Sequence, residues 1–121
     1  MLNYKYMQMK TDVVEIFQTI RAAMQPYATL GFTNRINSDE EYDLWSDKNI
    51  VSEAGEGLDR NETFFACVKI EGNLVHFILS SNEGHDIKNT QELTELDEMS
   101  IKQIEDNLSV AYKLFKEREW I

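Results

Sequence analysis

Residues 64–84, FFACVKIEGNLVHFILSSNEG, carry the single cysteine, Cys67, and one of the two histidines, His76. A thiolate beside an imidazolium would be a nucleophile with a depressed pKa. Two apolar runs, 63–70 and 73–80, flank Glu71-Gly72-Asn73 and read as a β-hairpin. A turn on Glu71-Gly72 sets Cys67 directly opposite His76, with Cβ atoms about 4.5–5.5 Å apart. A turn on Gly72-Asn73 instead sets Lys69 opposite His76 and Ile78 opposite Cys67. In either register no third group orients an imidazole and no oxyanion hole is evident. Cys67 therefore reads as a small hydrophobe within a sheet.

The second cluster is acidic. Asp39, Glu40, Glu41, Asp43 and Asp47 crowd one turn, and Glu53, Glu56 and Asp59 follow. Oxygen-rich groups of this kind suit a hard divalent cation or weakly bound Fe²⁺. The spacing is not that of an EF-hand, so Asp39, Glu40, Glu41 and Asp43 are weak metal candidates beside the simpler reading of a solvated turn. Cys67, His76 and His85 lack the paired spacings that build a zinc site. The glycines form neither GxGxxG nor a P-loop, and GxSxG is absent. The expectation is a non-enzymatic protein without a resident cofactor.

The chain has 121 residues, with 22 acidic against 12 basic and a formal charge of −10. That field repels phosphate backbones and anionic lipid, which argues against nucleic acid and membranes as partners. A lone cysteine, no signal-like N-terminus and no apolar run near the ~20 residues of a membrane span lead us to expect a cytoplasmic protein.

One domain, 1–121, is expected. After a tail at 1–11, Val13, Ile16, Phe17, Ile20 and Met24 have helical spacing. Asp12 and Glu15 resemble a capping box, and Pro26 should end the helix, giving 12–26. The sheet region spans 28–96. A strand around Leu30 and Phe32 comes first. A second strand has Tyr42 and Leu44 on one face, with Asp43 and Trp45 on the other. A long loop, 46–61, then precedes the hairpin. A further loop leads to a short edge strand near 92–96. The last helix, 97–118, has Asp97 as N-cap and a stripe of Ile101, Ile104, Leu108, Ala111, Tyr112 and Phe115. This order implies an α+β fold: a mostly antiparallel sheet of four or five strands, with the N- and C-terminal helices packed on one face.

A two-residue turn puts Phe64, Ala66, Val68 and Ile70 on one face with Val75, Phe77 and Leu79, facing the helices. Phe65, Cys67, Lys69, Leu74, His76 and Ile78 then share the other face. Phe65, Leu74, His76 and Ile78 would line a groove for an unknown small ligand or protein partner, or a homodimer contact. Phe77→Ala is accordingly expected to cost more stability than Phe65→Ala.

The segments IFQTIRAAMQPYA, FFACVKIEGNLVHFIL and LDEMSIKQIEDNLSVAYKLFKEREWI resemble three motifs of the YdhG-like domain of unknown function. These are the first-helix turn, the central hairpin and the last helix. The resemblance implies a small frataxin-like α+β domain. It also implies an alternative function, because some members are described as iron chaperones for iron–sulfur cluster assembly. Iron would then be the cargo.

Overall fold

The structure, a computed structural model, describes residues 12–48, 62–81 and 88–121. The expected tail, most of the long loop with Glu53, Glu56 and Asp59, and His85 lie outside the described residues. The architecture is a five-stranded antiparallel sheet with the N- and C-terminal helices packed on it. The elements are α1 (Val13–Ala28), β1 (Phe32–Thr33), β2 (Glu41–Ser46), β3 (Thr63–Glu71), β4 (Leu74–Ser80), β5 (Lys88–Leu93) and α2 (Glu98–Glu117). Strand order follows the chain, so each strand pairs with its sequence neighbour in a meander.

The caps behave as their residue types require. The Asp12 carboxylate accepts from the Val14 N–H at 3.1 Å, and Asp97 accepts from the Ser100 N–H at 2.8 Å. That bond holds the Asp97 carboxyl below the usual carboxylate range. Buried Ile16, Phe17, Ile20 and Met24 of α1 meet buried Ile104, Leu108, Ala111 and Phe115 of α2 in one core. Among the described residues no helix is long and apolar enough to cross a membrane.

Pro26 does not end α1, which runs on to Ala28. In the last turn a proline forfeits only its own N–H bond. Its carbonyl then accepts from the Thr29 N–H and Oγ1, at 3.3 and 2.9 Å. The strand expected around Leu30 and Phe32 shrinks to Phe32–Thr33. Residues before it complete the helix and its turn. After it, the N–H groups of Arg35 and Ile36 bond the Asp43 carboxylate instead of a ladder partner. At the far edge, β5 begins and ends earlier than expected. Its polar sequence, KNTQEL, has no apolar alternation to announce it, and only Leu93 is buried.

The central hairpin adopts the Gly72-Asn73 register. Gly72 supplies the left-handed φ of +65° at the first central position of the turn. Glu71 pairs with Leu74, Lys69 with His76 and Cys67 with Ile78. Cys67 and His76 are therefore not opposed.

A β-bulge changes which phenylalanine enters the core. Leu44 pairs with Ala66 and Trp45 with Phe64, so Phe65 is an extra residue on β3. The insertion rotates Phe65 to the helix side. There it is fully buried, stacked on Phe32 at 4.2 Å and edge-on to Phe115 at 5.2 Å. Phe64 points to the opposite face and meets Trp45 edge-on at 5.3 Å. The expected roles of Phe64 and Phe65 are thus exchanged, because two adjacent phenylalanines are indistinguishable by hydropathy and the bulge decides between them.

Candidate functional site

The sheet face away from the helices carries most of the residues singled out from the sequence. Leu74, His76 and Ile78 are half-buried there, but Phe65 is not among them. His76 is held between two carboxylates: Nε2 lies 3.0 Å from Glu71 Oε1 and Nδ1 lies 3.8 Å from Glu92 Oε2. Cations cover the aromatic side chains of this face. The Arg35 guanidinium sits 3.8 Å above the Trp45 ring, and Lys88 Nζ lies 4.6 Å from the centre of Phe64. What remains is a shallow depression of about 260 Å³ bordered by Arg35, Glu41, Trp45, Lys69 and Lys88.

Cys67 lies in the wall of that depression and is 6% exposed. Its Sγ is 3.8 Å from Glu41 Oε2. Burial, helped by the negative charges of Glu41 and Asp43 and opposed by a smaller effect of Lys69, pushes the thiol up to about 12. The thiolate, which is the reactive form, is therefore scarce at neutral pH. Alkylation of the native protein should be slow below pH 9, and its midpoint should lie well above the ~8.5 of a free cysteine. Fast labelling with a midpoint below about 7 would mean an activated thiol.

The acids of the 39–43 turn do not converge on a cation. Asp39 and Glu40 are exposed, and Glu41 leans toward Cys67. Asp43 is only 5% exposed, and its oxygens serve the fold. Oδ1 accepts from the N–H groups of Arg35 and Ile36 at 2.8 and 3.0 Å, and Oδ2 accepts from Trp45 Nε1 at 3.1 Å. Among the described residues no group of three or more His, Cys, Asp or Glu side chains could hold a metal ion. Asp39, Glu40, Glu41 and Asp43 thus form no metal-holding cluster among the described residues.

A larger site lies on the helix side, where sequence reasoning placed nothing. The helices pack mainly over the middle of the sheet, and the outer half of β5 is left without cover. Between α2 and β4–β5 this leaves a cleft of about 400 Å³. Its floor is apolar: Phe77, Leu79, Ala111 and Phe115. Asn89 and Gln91 extend that surface onto β5, paired with Leu79 and Phe77 respectively. Asn107, Val110 and Leu114 of α2 form the opposite wall. Val110 is 54% exposed, a large apolar side chain with one flank in water.

Trp120 and Arg118 close one end of the cleft. A Schellman turn puts them there. Glu119 takes a left-handed φ of 59°, its N–H bonds the Lys116 carbonyl at 3.1 Å, and the Trp120 N–H bonds the Phe115 carbonyl at 2.8 Å. The turn folds the Trp120 ring back against Phe115, edge-on at 5.2 Å. Ser46 Oγ donates to the Trp120 carbonyl and ties the turn to β2. A glutamate stands where glycine is usual, so composition gives no sign of this turn. One signal was available: Asn107, Val110, Leu114 and Arg118 follow helical spacing beside the core stripe of α2 and mark a second, mixed face.

Pocket dimensions in the range of small-molecule sites, an apolar floor and a few convergent polar groups are what a binding cleft requires. Searches against protein-family models, curated proteins and solved structures find no match to this chain.

Proposed function

We propose that this chain is a non-enzymatic binding domain that holds a small amphipathic molecule in the cleft between α2 and β4–β5. The cleft itself carries the reading: about 400 Å³, apolar beneath and polar at the rim. Its described lining offers amides, hydroxyls and one guanidinium, but no carboxylate, imidazole or thiol to act as a general base or nucleophile. The one cysteine lies on the opposite face of the sheet with its thiol pKa raised.

The test is a thermal-shift and Trp120-emission screen of small amphipaths, run on the native chain and on Val110→Trp. Val110 is exposed at the rim, so the larger side chain obstructs the cleft without a core cost. Saturable binding to the native chain that weakens at least tenfold in Val110→Trp is expected. Binding that is indifferent to Val110→Trp would move the site elsewhere. Turnover of any bound compound by a metal-defined sample would overturn the non-enzymatic reading.

A further inference from the structure

We infer that two copies of this chain pair edge to edge through β5, antiparallel and in one register, so that their sheets join into one. The inference stands apart from the cleft reading. Backbone direction is the first argument. β5 ends the strand order, and among the described residues a strand pairs with it only on its β4 side. Lys88, Asn89, Thr90, Gln91 and Glu92 are all exposed. The Ile70 N–H bonds the Glu40 carbonyl on the β2 side, so Ile70 does not bond Val75, its partner on β4. The N–H and C=O of one strand residue point to the same edge, and successive residues alternate. Val75, Phe77 and Leu79 therefore bond across to Leu93, Gln91 and Asn89, while Lys88, Thr90 and Glu92 aim their backbone groups outward.

Register is the second argument. A two-fold axis can bond only outward residues to outward residues, and a centre on Thr90 does so throughout 88–92. Thr90 then meets the partner's Thr90, Lys88 meets the partner's Glu92, and Asn89 meets the partner's Gln91. These are a hydroxyl pair, an ion pair and a pair of carboxamides that each donate and accept, and cross-strand pairs of this kind stabilise antiparallel strands. The axis repeats the ion pair and the amide pair. Moving the centre to Asn89 or Gln91 loses both ion pairs. Edge strands are commonly blunted by lysines, proline or a bulge. Here the one lysine has a glutamate at the matching position, and neither proline nor a register shift interrupts 88–93. Asn89 and Gln91 also border the cleft, so the pairing sets the two clefts side by side across the axis.

Sedimentation velocity of the full chain over a concentration series reads the association. At about 0.15 M salt the mutual repulsion of two acidic chains is screened beyond ~8 Å, while contact pairs persist. We expect reversible association from 14.2 kDa to twice that mass. Lys88→Glu alone and Glu92→Lys alone each put like charges opposite one another on both sides of the axis, and each should weaken the dimer about tenfold or more. An equimolar mixture of these two variants restores opposite charges and should associate as the native chain does. Thr90→Pro withdraws an outward N–H and spares the β4 ladder, so it should abolish the dimer with little change in the urea midpoint. A monomer at every concentration, a dimer indifferent to the single charge reversals or to Thr90→Pro, or a mixture of the two reversals that stays monomeric would overturn the β5 pairing.

Discussion

Phe65→Ala is expected to destabilise the fold by about 3–5 kcal/mol, as much as Phe77→Ala or more. Phe65 is fully buried, and its ring touches Tyr27, Phe32 and Phe115, from α1, β1 and α2. Truncation would remove a stacked pair and two tilted or edge contacts together, and would leave a cavity that the bulge cannot close. Phe64→Ala should cost less, because Phe64 lies outside the core cluster on the far face, where its ring meets Trp45 and Lys88. Urea melts of the three variants decide the matter. A Phe64→Ala loss larger than that of Phe65→Ala would mean that the bulge is misplaced and that the simple alternation holds.

The second large effect is expected at Asp43. Asp43→Ala should cost about 2–4 kcal/mol, because it strands three donors that converge on one nearly buried carboxylate. Two of these donors are backbone N–H groups that hold residues 35–36 against β2, and the third orients Trp45. Asp43→Asn should recover only part of the loss. An amide offers one acceptor oxygen, so either the backbone pair or the indole N–H then faces an N–H₂ group. Chemical denaturation followed by Trp45 emission measures both variants. A loss below about 0.5 kcal/mol would show that water replaces the carboxylate at no cost.

These two residues also mark where the sequence was legible and where it was not. Both helices, their N-caps and the antiparallel hairpin could be read from periodicity and capping chemistry, because local spacing determines them. Face assignment in β3 failed at Phe64 and Phe65. The deciding event is a one-residue bulge against β2, and pairing between separated strands leaves no local trace. Asp43 was a metal candidate by type. Its real partners are backbone N–H groups, which have no letter in the sequence. The hairpin register was narrowed to two alternatives, and the left-handed φ of Gly72 at the first turn position selects between them. The cleft was invisible for a different reason. It exists because the helices stop short of an edge strand and because a glutamate-containing turn returns Trp120 to the core, and both are properties of the assembled layers.

The most direct test of the binding cleft is an amide chemical-shift map of the full chain with and without a saturating small amphipath from the thermal-shift screen. The account predicts shifts concentrated at Asn89, Gln91, Asn107, Val110 and Leu114 and at the Trp120 indole N–H, with Leu74, His76 and Ile78 on the opposite face undisturbed. Shifts centred on Leu74, His76 and Ile78, or no shifts at saturation, would contradict it.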